Sequence, residues 1–294
     1  MSERGPWSER LERWRLMPFT ILAILVCVGN SFAIHANSVA ADSQLSPFGA
    51  LMPADIWAGH VYGLVTSAFV HVDPLHLFFN MYMLYLLGGL LERKRGSLFF
   101  VVFVVCTAAA TSAAQLIAST TDGIGFSGVG YAMFGLLWAA RRYDASLGQV
   151  VDNRMAGVLI GWAILCLVFT YTDIMSVANT AHFVGFALGW VLGRWVYAAP
   201  LPGQYALLGV FAAILVGVSL YQPWSHQWSA NRAWRLHQAD DLERAGPAYD
   251  HVLRLNPEDD WAWHNRGVVY QNIGDYERAA IHFMKARELR GELP

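Results

Sequence analysis

Long apolar stretches separated by short polar segments fill about the first 220 residues, and the rest mixes charged and apolar positions at helical spacing. A hydrocarbon layer of ~30 Å takes about 20 helical residues to cross. Stretches near 17–35, 74–91, 97–118, 127–140, 155–172, 177–198 and 204–221 meet or approach that length. They predict seven spans. The first is too long, and too poorly followed by a small-residue cleavage site, to be a secretory signal peptide, so it is expected to stay as a helix.

Composition narrows the class. Of 294 residues, 55% are hydrophobic and 14% charged, which excludes a disordered chain. Twenty Lys and Arg against 22 Asp and Glu leave no basic surplus for phosphates, so no nucleic-acid partner is expected. The last 70 residues hold 20 of those 42 charges, which separates a membrane part from a soluble tail. Cys27, Cys106 and Cys166 lie inside apolar runs without short spacing, and predict buried thiols rather than disulfides or metal ligands. Neither a metal nor a cofactor is expected.

Lys and Arg give the orientation, because cytoplasmic loops keep the excess positive charge. Arg4, Arg10, Arg13 and Arg15 precede span one, and Arg93, Lys94 and Arg95 follow span two. Arg141, Arg142 and Arg154 join spans four and five, and Arg194 closes span six. All fall on one side, and the opposite loops, 36–73, 119–126 and 173–176, hold no Lys or Arg. The N-terminus is therefore expected in the cytoplasm.

Polar groups are costly in lipid-spanning helices, so those present carry a functional expectation. Span two begins after His71 with Asp73 as N-cap and Pro74 at the first helical position, and places His76 and Asn80 on one face. Span four opens Gly125-Phe126-Ser127-Gly128, with Tyr131 one turn below the serine. From Ser127 to Arg141 such a helix rises only ~21 Å, which sinks the serine inside the layer. Span six carries His182, then Gly185, Gly189 and Gly193, a flat ridge suited to close packing on the glycine-rich start of span four at Gly128. The same rise places Ser127, His182 and Asn80 at nearly one level.

Taken singly, Ser127 would satisfy a helix N-terminus and His182 a neighbouring carbonyl. Together they suggest a hydroxyl nucleophile and an imidazole base, with Asn80, His76 and the Ser127 backbone N–H as oxyanion donors. Asp73, Asp122 and Asp173 fall in outer loops or at span ends, so a dyad fits better than a triad. Tyr131 is placed to stack on His182. His60, His71 and His76 share no helical face for a metal, and Val129 breaks the Gly-x-Ser-x-Gly elbow of soluble hydrolases. A solute transporter would need paired charges inside spans, which are missing.

His71-x4-His76-x3-Asn80, Gly125-x-Ser127-Gly128 with Tyr131, and Ala181-His182-x2-Gly185-x3-Gly189 resemble, in order, the signature segments of the rhomboid family of intramembrane serine proteases. The resemblance covers roughly residues 15–200. It implies a serine endopeptidase with Ser127 as nucleophile, His182 as base, and His76 and Asn80 at the oxyanion site, with His71 structural. It also implies transmembrane protein substrates reaching the site from the bilayer past span five, and a bacterial inner-membrane location with the site opening to the extracytoplasmic side. The family's frequent Trp-Arg in the first outer loop is replaced here by Tyr62-Gly63, with Trp57 and Tyr62 left as interfacial aromatics.

Beyond span seven, Trp263, Gly267, Tyr270, Ala279, Phe283 and Ala286 stand at the offsets of a tetratricopeptide repeat, with Gly274-Asp275-Tyr276 at the turn. A more degenerate copy places Ala233, Leu236, Ala245, Tyr249 and Pro257 34 residues earlier. The expected architecture is all-α: a cytoplasmic segment 1–16, a rhomboid-like six-helix membrane core 17–200, a seventh span with linker 201–225, and a tetratricopeptide-like tail 226–294. Two repeats bury little core, so the tail is expected to dock on the membrane part, self-associate or take a protein or peptide ligand. The rival reading is a catalytically silent membrane adaptor that binds transmembrane helices and presents the tail to partners.

Overall fold

Proline in the first turn opens both the first apolar helix and the helix after the outer loop that carries His76 and Asn80, where its missing N–H costs nothing. The structure, a computed structural model, describes residues 16–37, 48–119, 123–198 and 204–292. The N-terminal arginines expected in the cytoplasm and Asp122 lie outside the described residues. The chain divides into two compact units with the boundary between Leu220 and Tyr221.

The first unit consists of α1 (Pro18–Ala36), the short α2 (Pro53–Trp57) and α3 (Gly63–Thr66), α4 (Pro74–Arg95), α5 (Ser97–Ala118), α6 (Ser127–Ala140), α7 (Asn153–Tyr171), α8 (Asn179–Ala198) and α9 (Gln204–Leu220). Of these, α1, α4, α5 and α7 are long and apolar enough to cross a membrane. Helix α6 and the stretch Gly209–Leu220 are apolar but shorter. The seven apolar runs of the sequence thus each hold a helix, and the brevity expected of span four is seen.

Buried polar groups fasten the bundle. The N-cap of α1 makes no side-chain cap bond. Its free N–H groups are met instead by Glu92 at the far end of α4, whose carboxylate accepts from the Phe19 and Thr20 amides at 3.1 and 2.8 Å and from the Thr20 hydroxyl at 2.7 Å. Ser97, at the start of α5, donates to the same carboxylate at 2.7 Å. One 1%-exposed acid thereby joins three helices, its charge aimed at the positive end of α1. A π-helical turn at Leu84–Gly88 interrupts α4 between the His76–Asn80 face and this staple. Lys94 reaches Asp144, beyond α6, at 2.8 Å, and Arg95 lies over Tyr197 of α8 at 5.2 Å. The basic ends of the even-numbered spans are therefore gathered at one end of the bundle.

The centre is the contact of α6 with α8. A Cβ on Gly185, Gly189 or Gly193 would fall on the carbonyl oxygens of Gly128, Ala132 and Leu136, and one on Gly135 would fall on that of Phe186. Glycine at every fourth position lets the two backbones touch. Around this seam Met133, Leu136 and Leu137 are fully buried. In contrast α7 buries only Ala156, Leu159 and Cys166, and it meets α4 where Phe79 and Trp162 pack with ring centroids 5.0 Å apart.

The second unit holds α10 (His226–Gln238), α11 (Leu242–Leu255), α12 (Asp260–Asn272) and α13 (Tyr276–Leu289). Ser225, Asp241, Asp259 and Asp275 cap these helices in turn, each accepting a backbone N–H of the first turn. Ala233, Ala245 and Tyr249 are fully buried, as the repeat offsets predict. Gly267 leaves room for the Phe283 ring, and Gly274 takes φ +84° in the turn. Residues 221–225 fold with this unit: the Tyr221 ring stands edge-on to Trp228, and the Pro223 carbonyl accepts from His251 at 2.7 Å.

Candidate active site

Ser127 is the first residue of α6, where backbone N–H groups lack intrahelical acceptors. His182 lies in the first turn of α8. The glycine seam holds these two helix starts together, and His182 Nε2 lies 2.7 Å from Ser127 Oγ. The imidazole is 4% exposed and stacks on Tyr131 with centroids 4.7 Å apart and planes 26° apart. Tyr131 is itself fixed by donating its hydroxyl to the Leu159 carbonyl at 3.0 Å. The other imidazole nitrogen, Nδ1, is buried and has no hydrogen-bond partner among the described residues. Asp73 instead caps α4, accepting the His76 amide at 2.7 Å, and Asp173 sits in a turn at φ 54°.

The loop before Ser127 is held from below and above. The Gly125 amide donates to the Ser67 carbonyl at 3.0 Å. The Phe126 amide donates to His71 Nε2 at 3.2 Å, which requires that nitrogen to be unprotonated. His71 is fully buried and lies in the coil before α4, as its place in the sequence suggests. Gly125 has φ +98°, and a Cβ there would meet the His76 ring at 2.5 Å. Only glycine satisfies both the backbone angle and the close ring. His76 and His71 are neighbours, with centroids 5.1 Å apart. Asn80 is buried and donates through Nδ2 to the His76 carbonyl at 3.0 Å. Its amide carries two N–H groups, so this bond uses one.

Two residues that the spacing argument passed over also shape the site. Gln115 of α5 is 3% exposed, and its Oε1 accepts the Ala181 amide at 3.3 Å while Nε2 donates to Ser119 at 2.6 Å. It thus holds the turn of α8 that presents His182. Thr111, one turn earlier, fills the space beside Gly128, where a Cβ would stand 2.8 Å from its hydroxyl. The signal available was the cost of an uncompensated carboxamide in an apolar span. No group of three or more His, Cys, Asp or Glu among the described residues is arranged to hold a metal ion.

Comparison with known proteins agrees with the signatures. Residues 58–199 match the family model described as Rhomboid domain, and residues 248–280 match a tetratricopeptide repeat. The chain is 30% identical over 184 residues to the rhomboid protease GlpG of Enterobacter sp. (strain 638), covering 60% of this chain and 62% of that protein. It is 27% identical over 182 residues to rhomboid protease GlpG of Yersinia pestis (strain Pestoides F) and of Yersinia pseudotuberculosis serotype O:3 (strain YPIII), with the same coverage. The chain thus spans 62% of the length of these curated relatives.

Proposed function

We propose that this chain, which carries a rhomboid domain followed by a tetratricopeptide repeat, is an intramembrane serine endopeptidase that cleaves transmembrane segments of other proteins. The observation that carries the reading is the 2.7 Å contact between Ser127 Oγ and His182 Nε2 at the starts of two helices. Neutral His182 takes the hydroxyl proton as Oγ attacks the scissile carbonyl carbon, and returns it to the leaving amine nitrogen. Water then attacks the acyl-serine carbonyl carbon and gives its proton to His182 Nε2, which passes it to Ser127 Oγ as the acyl–oxygen bond breaks and the product acid leaves. The oxyanion formed in each step is met by the Ser127 backbone N–H, the second Asn80 amide proton and His76, with the α6 dipole adding to their field. Tyr131 holds the imidazole plane, since Nδ1 has no hydrogen-bond partner among the described residues.

The substrate is a helix that unwinds locally, because an intact helix keeps its carbonyls in its own hydrogen bonds. Small or helix-destabilising residues near the outer membrane surface favour that unwinding. The weakly buried α7, touching α4 through Phe79 and Trp162, is the side past which such a segment would arrive. We place the chain in a bacterial inner membrane with the N-terminus cytoplasmic and the site facing outward. The gathered basic helix ends support that orientation, and the bacterial sources of the similar proteins support the location. The tail supplies a protein-binding module. Purified chain incubated with a defined transmembrane substrate tests the reading: Ser127→Ala and His182→Ala should each abolish cleavage with the helical content unchanged. Cleavage surviving Ser127→Ala would defeat the reading, and no cleavage by the parent chain would leave the adaptor reading in its place.

A further inference from the structure

The loop before Ser127 hangs from a carbonyl of the segment that holds α2 and α3, since the Gly125 amide donates to Ser67. What fixes that carbonyl lies outside the site. Backbone bonds run turn upon turn through the segment, from Asp55 to Met52, His60 to Asp55, Gly63 to His60, Thr66 to Tyr62 and Val70 to Ser67, at 2.9 to 3.2 Å. The Thr66 hydroxyl donates to the Gly49 carbonyl at 2.6 Å, and a Cβ on Gly63 would stand 2.9 Å from Leu51. Helices α2 and α3 and the turn after them therefore form one plate.

The plate rests on two long helices. Its buried Leu51, Ile56 and Leu64 pack with Ala113 and Leu116 of α5 and with Leu215, Val216 and Leu220 of α9. Apolar contacts have no direction and let such a plate slide. Trp57, the last residue of α2, removes that freedom, because its Nε1 donates to the Ser219 carbonyl at 3.1 Å. Ser219 is buried in the last turn of α9, where carbonyls have no amide of their own helix to accept. One bond thus completes the end of α9 and pins the plate.

We infer that Trp57 is a positioning residue for the Ser127 site: by tying the plate to α9 it sets the Ser67 carbonyl, and through Gly125 the place of the Ser127 hydroxyl and N–H. The inference rests on the reading of Ser127 as the nucleophile. It gives α9 a task in the site although α9 supplies no residue to it. Trp57 acts through Ser67 and Gly125, so its loss slows the chemical step and leaves the hold on substrate unchanged. A misplacement of about 1 Å at a reacting group lowers rates by on the order of 100-fold, so a partial loosening is readable.

The purified full chain carrying Trp57→Phe or Trp57→Ala, with Trp224→Phe in the tail as control, tests this by two independent measurements. Amide exchange at Gly125 should quicken about fivefold in Trp57→Phe, which removes one hydrogen bond and keeps a ring, and further in Trp57→Ala. Amides in the middle of α6 and α8 should keep their protection, and Trp224→Phe should match the parent. With a transmembrane substrate, kcat should fall in the same order, about tenfold in Trp57→Ala, with KM unchanged. Labelling of Ser127 by a small fluorophosphonate, which needs no helix binding, should slow with it. Exchange at Gly125 equal to that of the parent, a loss carried by KM, or exchange rising evenly through α6 and α8 would each overturn the inference. A parent chain that cleaves nothing would defeat the protease reading, and exchange at Gly125 would then decide alone whether Trp57 sets the loop.

Discussion

Gly189 of α8 lies so close to the Ala132 carbonyl of α6 that a single methyl group has nowhere to go. The relationship repeats one turn up and one turn down the seam, and it brings Ser127 to His182. Packing and chemistry are thus one feature of the chain.

Gly189→Ala should therefore force α6 and α8 apart, costing about 3 kcal/mol or more of stability, the upper range for overpacking against an unyielding backbone. Gly157→Ala and Gly161→Ala on α7 meet nothing within 4 Å and should be neutral or slightly stabilising. Thermal unfolding in one detergent compares the three. Equal midpoints would show that the seam is not tight.

Glu92→Ala should destabilise the bundle by roughly 3 kcal/mol, because it leaves the buried donors of Thr20 and the part-buried ones of Phe19 and Ser97 unmatched. Glu92→Gln should fall between, since an amide retains one acceptor oxygen. Hydrogen exchange should show the loss first at the start of α1. Protection there equal to that of the parent chain would contradict the staple.

The tail should weaken as pH falls. Burial lowers the His282 pKa, and Arg266 beside its Nε2 adds to that, against the raising effect of the Arg278 carbonyl. Asp250 also raises it and Arg278 lowers it. A histidine whose folded pKa is depressed lends stability above the ordinary value of about 6.5 and loses it as pH drops below. Exchange of α12 and α13 amides, corrected for the intrinsic pH dependence, should rise between pH 7 and 5 in the parent chain. It should rise less in His282→Gln.

Much of this was readable from periodicity. The run at 97–118 is the helix Ser97–Ala118, and the run at 127–140 is Ser127–Ala140. These are continuous apolar segments with sharp polar or glycine ends, so local pattern and final structure coincide. The glycine ridge was equally legible, because a four-residue spacing of glycine on a helix has little purpose other than close approach. Glu92 was not: beside Arg93, Lys94 and Arg95 it reads as part of a solvated charged end, and only the fold brings the start of α1 onto it. Gln115 was missed for a similar reason, since its partner is a backbone amide 66 residues away. Backbone partners leave no trace in side-chain pattern.

The most direct test of the central claim is covalent labelling of the chain by a fluorophosphonate, with the modified residue found by mass spectrometry. The account predicts an adduct on Ser127 that disappears in His182→Ala, because the hydroxyl is nucleophilic only while that imidazole takes its proton. An adduct on another serine, or undiminished labelling of Ser127 without His182, would contradict it.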